Sequence, residues 1–433
     1  MEPHRITVRE YAYLSTPIDP DHTSTLDHAQ ISPSAFDWLC ELQAKFNATG
    51  VRLVELADRR SLRLDSFVGT ISTPCGTHIE ILPKHYTTNE EKEKNRQLMC
   101  RLIASALNLP WREAGVADLN LFRYPLSEWV IRQFLTVLSQ LVKRGLRYDY
   151  QQVEDEQPFL RGQLNVTRQL RQPPGKNHRF HQRHALFLPD RPENRLLRLA
   201  LNKVSSATQE EGNWRLAHEL LDWMKEVPAS RHAPSDFARW GNDRLMAHYR
   251  LIKPWCELVL GEHLPLAIKG RASGISLLFP MERLFEQHVA KVLQRQLVTG
   301  AQLITQATEH YLCRYNQEKL FLLKPDMLLK QGEKCWVLDT KWKRLEQSRG
   351  NYGIAQSDAY QMSAYGTRYL EPNQALLLVY PQYRDFTAAI GPLIMPTEKH
   401  LYALPFDLDT DVLLFPSELN LPFDLPSFAN VSA

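Results

Sequence analysis

The sequence has no strong charge excess: 52 Lys+Arg stand against 49 Asp+Glu over 433 residues, a formal net charge of +3. Chains that coat nucleic acid indiscriminately usually carry a large basic surplus, so that class is disfavoured, although a local basic face is not. No uncharged apolar run approaches the roughly 18 residues of a membrane span, which speaks against a membrane protein. The opening residues, MEPHRITVREYAYLS, lack the apolar core of a secretory signal. The six cysteines, Cys40, Cys75, Cys100, Cys256, Cys313 and Cys335, are scattered without a CxxC pair. That removes zinc ribbons and thioredoxin-type motifs and leads to an expectation of reduced thiols in a cytoplasmic protein. Internal repeats and low-complexity tracts are also missing.

What is present is an ordinary globular balance, 43% hydrophobic and 23% charged residues. At roughly 150 residues per domain the length allows two or three cores. Residues 1–96 read as a strand-rich domain, with short β-type runs at 6–8, 51–54, 67–71 and 78–82 around a helical stretch at 34–46. Residues 97–270 read as mainly helical, from apolar spacings of three and four over 126–142, 194–206 and 214–227. Residues 271–433 open on a helix from Pro280, followed by two strands, a helix and further strands that include 375–380. The expected fold class is α/β and multidomain.

The densest chemistry lies in Leu320 to Lys343, LFLLKPDMLLKQGEKCWVLDTKWK. Two apolar runs flank Gln331-Gly332-Glu333-Lys334, and glycine at the first central position suits a type II′ turn. With Gly332-Glu333 as the loop, Gln331 faces Lys334. Counting outward, Asp326 faces Asp339 on one side of the sheet, with Cβ atoms about 4.5–5.5 Å apart. Alternation places Lys341 on the face of Asp339 and turns Thr340 away. Two carboxylates among Leu, Val and Trp repel unless a cation neutralises them. Mg2+, with Mn2+ as an alternative, suits oxygen ligands and keeps waters for chemistry. A neighbouring lysine can orient or help deprotonate such a water and stabilise charge growing on a phosphate. Together these residues describe phosphodiester hydrolysis. The same spacing also fits a plain hairpin with a surface Asp339–Lys341 pair.

Pro325-Asp326, twelve residues, then Asp339-Thr340-Lys341 resemble the PD-(D/E)XK nuclease signature, with Asp in the D/E slot. Upstream, residues 280–297 carry Met281, Leu284, Phe285, Val289, Val292 and Leu293 on one helical stripe. Glu286 on that helix matches the glutamate that in this class often approaches the metal. Downstream, Gln361 and Tyr365 match the QxxxY motif of RecB-like members and, four residues apart, share a helix face. Arg9-Glu10-Tyr11, the stretch Ile79 to Lys84, Leu160 to Leu164 and Glu193 to Leu197 are in turn similar to the McrC family.

The resemblance covers nearly all of residues 5–390 and implies the nuclease subunit of a McrBC-type, modification-dependent restriction system. It implies a C-terminal PD-(D/E)XK domain, a mixed sheet flanked by helices, that cuts double-stranded DNA with Mg2+. Glu286, Asp326 and Asp339 would bind the metal, Lys341 would assist water attack, and Gln361 would support the site. The N-terminal region would dock into the pore of a hexameric McrB-like AAA+ GTPase, which recognises modified cytosine, and stimulate its nucleotide hydrolysis. The chain has no GxxxxGK[ST] phosphate loop, so nucleotide hydrolysis falls to the partner. Two rival readings are a non-catalytic adaptor that binds DNA and activates the ring, and a nuclease that acts without a motor.

Three further features carry less weight. Residues 161–198 hold nine Lys/Arg against Asp190 and Glu193. Such a strip fits contact with phosphates, an acidic partner surface or a solvated helical face. Arg161 and Arg195 fall in family-like motifs and fit structural roles. His178, His181 and His184 form HxxHxxH after Pro-Pro-Gly, which reads as a loop rather than a zinc site. Trp223, Trp240 and Trp255 are expected in packing rather than base stacking.

Overall fold

The computed structural model describes residues 5–16, 24–47, 50–86, 92–109, 124–176, 178–241, 243–261 and 276–424. Gly69 has φ 133°, and a Cβ there would fall 1.8 Å from the carbonyl oxygen of Leu277. Because glycine has none, strand Phe67–Ser72 can pair antiparallel with Leu277–Pro280, from far along the chain. These two strands continue through His78–Leu82 to Arg5–Arg9 in one four-stranded sheet. A second small sheet runs in the order His28–Gln30, Tyr13–Ser15, Ser61–Leu64, Val54–Asp58. The helix Pro33–Asn47 turns Phe36, Leu39 and Leu42 into the core shared by the two sheets.

The helix Lys92–Ala106 crosses the expected boundary at 96/97, because the charged run there starts a helix with Leu98, Leu102 and Ile103 buried. The boundary at 270/271 lies outside the described residues. Helices Leu126–Arg144, Pro192–Ala207 and Glu211–Trp223 follow the expected apolar spacing, and the helix Lys253–Leu260 packs with them. Trp129 and Trp255 meet edge to face inside them at 5.5 Å. Trp240 is buried there as well, whereas Trp223 is exposed and takes no part in this core. No helix among the described residues is long and apolar enough to cross a membrane.

One part of this region departs from the helical reading. Asp149–Gln157, Phe180–Leu188 and Gln163–Leu164 form a three-stranded antiparallel sheet in which strand Phe180–Leu188 is central. Its strands are polar, so apolar alternation does not announce them, and ion pairs decorate it instead. Arg168 reaches Glu154 at 3.1 Å, Arg179 reaches Glu156 at 3.2 Å and Arg191 reaches Asp149 at 3.2 Å. Arg195 bridges Asp190 and Asp236 at 2.8 Å each, the structural role expected for it. Much of the basic strip is therefore neutralised, and its core is a sheet, not a helical face. His181 and His184 sit on a strand rather than in a loop, three residues apart and so on opposite faces. They approach Glu156 and Asp155 separately, at 4.0 and 3.5 Å.

The C-terminal region holds a seven-stranded mixed sheet. Its order is Ala301–Thr305, Met327–Gln331, Lys334–Thr340, Ala375–Pro381, His400–Asp407 and Ile390–Ile394, with Val412–Leu413 also paired to His400–Asp407. The Lys334–Thr340, Ala375–Pro381 and His400–Asp407 strands run parallel, and the first two strands pair antiparallel. Alternate residues face opposite cores. Leu329, Leu338, Leu377 and Leu404 join the core of helix Met281–Arg295, while Leu328, Val337, Leu376 and Leu378 join that of helix Gln356–Tyr369. Burial on both faces is what parallel strands require.

Candidate active site

The expected hairpin register holds. Gln331 pairs with Lys334 and Met327 with Leu338, and Gly332 turns at φ 58°. The main-chain ladder stops one step before the aspartates, where Pro325 has no N–H to give. Asp326 replaces the missing rung with its side chain, its Oδ2 accepting from the Thr340 backbone N–H and from Thr340 Oγ1, each at 2.7 Å. Thr340 therefore does not turn away as alternation suggested, since its hydroxyl holds Asp326.

Asp339 is 1% exposed. The Lys341 ammonium forms an ion pair with its Oδ2. The same ammonium donates to Gln361 Oε1 at 3.0 Å. Gln361 in turn donates from Nε2 to the Tyr365 hydroxyl at 2.8 Å, and that hydroxyl donates to the Lys324 carbonyl at 2.9 Å. The chain of bonds fixes which end of the Gln361 amide faces the lysine. Helical spacing makes it possible, because residues 361 and 365 stack on one face.

Glu286 enters from helix Met281–Arg295 and accepts a hydrogen bond from Gln306 Nε2. It lines one pocket with Glu282, Asp326, Asp339, Thr340, Lys341, Lys343, Asp358 and Gln361. The structure thus gathers all five residues singled out from the sequence. It also adds members that the reading did not place in the site. Asp358 lies three residues before Gln361 on the same helix and pairs with Lys343 at 3.1 Å. Lys343 lies past the end of strand Lys334–Thr340, where the strand period no longer applies, so residue spacing gave no signal for it.

Negative charge in the pocket exceeds positive charge. Burial, and then the charge of Asp326, push the Asp339 carboxyl up to about 6 despite Lys341. The same two causes push Glu286 up to about 7 against the Gln306 hydrogen bond. Burial alone would lower Lys341, but Asp339 outweighs it and the net shift is upward. Among the described residues no three His, Cys, Asp or Glu side chains form a ready metal cluster. The carboxylates are instead tied to Thr340, Lys341 and Gln306.

The back of the pocket is the N-terminal region. Trp342 follows Lys341, and its Nε1 donates to Glu10 Oε1 at 2.9 Å. Its ring packs on Phe285, the neighbour of Glu286, at 5.4 Å between centroids.

Known structures share the fold. The fold is similar to a chain of the refined half-complex from a tetradecameric assembly of Thermococcus gammatolerans McrB AAA+ hexamers with bound McrC. The TM-score is 0.71 at 20% identity, over 93% of this chain and 94% of that one. A chain of the cryo-EM structure of the Thermococcus gammatolerans McrBC complex matches at TM-score 0.51 and 22% identity, covering 67% of this chain and 87% of that one. No match was found among curated proteins. The family model described as McrBC 5-methylcytosine restriction system component matches residues 62–381. The chain, whose matched span takes in every residue of the pocket, belongs to the McrBC 5-methylcytosine restriction system component family.

Proposed function

We propose that this chain is the DNA endonuclease subunit of a McrBC-type restriction complex and that its C-terminal region, residues 271–433, is a PD-(D/E)XK nuclease domain. The observation that carries the proposal is the meeting of Asp326, Asp339, Lys341 and Gln361 at the carboxyl end of the parallel strands, where α/β sheets commonly bind ligands. The donor set fits Mg2+ or Mn2+. These cations take one or two carboxylates and complete their shell with water and phosphate oxygens. The raised values of Asp339 and Glu286 mark charge that a cation would compensate. Asp326 and Asp339 would hold it, with Glu286 beside them. Bound there, the ion would supply Lewis-acid polarisation of a phosphodiester and a more acidic water.

The chain's own residues do the rest. Thr340 fixes Asp326, and Gln361 with Tyr365 holds the Lys341 ammonium toward Asp339, where it can stabilise charge on a phosphate oxygen. The strand-rich N-terminal region, residues 1–96, is proposed to dock on a hexameric McrB-like AAA+ GTPase and stimulate it, and residues 97–270 to connect it to the nuclease.

The test is co-purification with an AAA+ protein encoded beside this chain, followed by nucleotide-dependent cleavage of methylated and unmethylated double-stranded DNA. The complex should cut, and one carrying Asp339→Ala should not, while both stimulate nucleotide hydrolysis alike. Undiminished cleavage by pure Asp339→Ala protein would remove the site assignment. Nucleotide stimulation without cleavage by the parent chain would favour an adaptor.

A further inference from the structure

Glu10 is fully buried, yet the proposed chemistry makes no use of it. It follows strand Arg5–Arg9, and its backbone N–H donates to the Leu82 carbonyl at 3.0 Å. Its Oε1 collects two donors, the backbone N–H of Lys84 at 2.7 Å and Trp342 Nε1 at 2.9 Å. Its Oε2 makes no hydrogen bond among the described residues. A buried carboxylate with half its acceptors unfilled is costly, and hydrophobic packing alone would not select it.

What Glu10 joins explains its placement. Lys84 ends the segment that leaves strand His78–Leu82, and beside it His85 packs on Tyr383 at 5.1 Å and on Trp342 at 6.3 Å. Trp342 belongs to the other side of the contact. The backbone N–H of Lys341 donates to the Val379 carbonyl at 2.9 Å, and that of Lys343 donates to the Lys341 carbonyl at 2.9 Å, so the chain makes a tight turn centred on Trp342 just past Thr340. The turn leaves Lys341 and Lys343 lining the pocket and Trp342 bonded to the N-terminal region. A single carboxylate oxygen thus grips the N-terminal segment and the residue next to Lys341, across 332 positions of sequence.

We propose that Glu10 is a positioning residue that locks Trp342 to the Lys84–Tyr86 segment and so couples the placement of Lys341 to the N-terminal region. The proposal rests on the nuclease reading for its effect on cleavage, but not for its effect on local order. A partner that shifts the N-terminal region would move the Lys341 end of the catalytic strand through this bond. The indole ring also meets His85 of that segment at 6.3 Å, and Phe285, packed on the same ring, carries the movement toward Glu286.

The experiment compares Glu10→Ala, Glu10→Gln, Trp342→Phe and the double variant Glu10→Ala/Trp342→Phe, each with the AAA+ partner. DNA cleavage is read as kcat and KM, and backbone hydrogen exchange is read on the chain alone. Glu10→Ala and Trp342→Phe should each lower kcat by about tenfold or more, with KM within about twofold. The double variant should fall no further than the worse single one, since both remove the same bond. Glu10→Gln keeps the acceptor oxygen and should stay within about threefold of the parent. Exchange should quicken at residues 340–344 and 84–86 in the Ala and Phe variants but not in Glu10→Gln. Additive losses, an equal loss in Glu10→Gln, or unchanged exchange at 340–344 would overturn the coupling. If Glu10→Ala does not fold, Trp342→Phe and Glu10→Gln decide alone. A parent complex that does not cut at all would sink the nuclease reading, and the exchange pattern would still judge the clamp.

Discussion

In the sheet of residues 149–188 arginine and carboxylate meet one to one, Arg168 with Glu154 and Arg179 with Glu156. At the carboxyl end of the mixed sheet they do not. There Glu282, Glu286, Asp326, Asp339 and Asp358 share a pocket with Lys341 and Lys343. The first arrangement is solvated and balanced, so its pairs need nothing further and contribute little. The second is buried at Asp339 and Asp358 and carries surplus negative charge, and the upward shifts of Asp339 and Glu286 go with it. The number of charges does not separate the two places, because both are rich in them. Balance and burial do, and an unbalanced, partly buried set is the one that marks a candidate functional site.

The comparison can be broken or sharpened at several points. The largest effect within the pocket, after loss of Asp339, is expected for Lys341→Ala. Single-turnover cleavage with the partner should fall by on the order of 10²–10³-fold while DNA binding is retained. A parent-like rate would mean that the ion pair is structural, like those of the polar sheet. Next comes Gln361→Ala, which frees the ammonium without removing it and should cost about tenfold in kcat. Tyr365→Phe, one bond further out, should cost less, and a reversed order would break the proposed relay.

A third prediction concerns pH. Burial pushes Glu10 up to about 7 from 4.5, against the Lys84 backbone N–H, the Trp342 donor and the Lys84 charge. Because its folded value lies above the unfolded one, the folded state holds this proton more tightly between those values. That contribution to stability is complete below about 4.5 and is lost as pH rises through about 7. Glu10→Gln, which stays neutral, should therefore gain in Tm over the parent by a few degrees between about pH 5 and about pH 8. A gap that does not change with pH would place the Glu10 proton elsewhere. The smallest effect belongs to the balanced sheet. Arg168→Ala with Arg179→Ala should shift Tm by no more than about 2 °C and leave cleavage unchanged. A marked loss of DNA binding would restore these arginines as a phosphate track and erase the contrast.

The site was largely legible in the sequence because its geometry is local. Gly332 sets the turn, the turn sets the register, and a period of two brings Asp326, Asp339 and Lys341 together. Gln361 and Tyr365 came from the resemblance to the QxxxY motif, and helical spacing put them on one face. The role of Thr340 was missed because Pro325 ends the ladder and a side chain takes over a backbone bond. Another hairpin, His310–Tyr315 with Glu318–Leu323, was also missed. Leu320 to Leu323 read as one apolar flank of the site hairpin, yet they belong to this separate ladder, which turns at Asn316-Gln317 with φ of 46° and 70°. The polar strands of residues 149–188 lack the apolar alternation that marks a half-buried sheet. The Glu10–Trp342 bond has no local signature at all, since only the folded chain brings residues so far apart in sequence together.

The central claim is that the surplus charge at Asp339 exists to bind a divalent cation. Titration of Mn2+ into the purified chain, followed by the loss of its free electron-spin-resonance signal, tests it without relying on cleavage or on a partner. The account predicts a saturable site in the parent that weakens at least about tenfold in Asp339→Asn and stays intact in Arg168→Ala. Equal Mn2+ binding by the parent and Asp339→Asn proteins, or no binding by either, would contradict it.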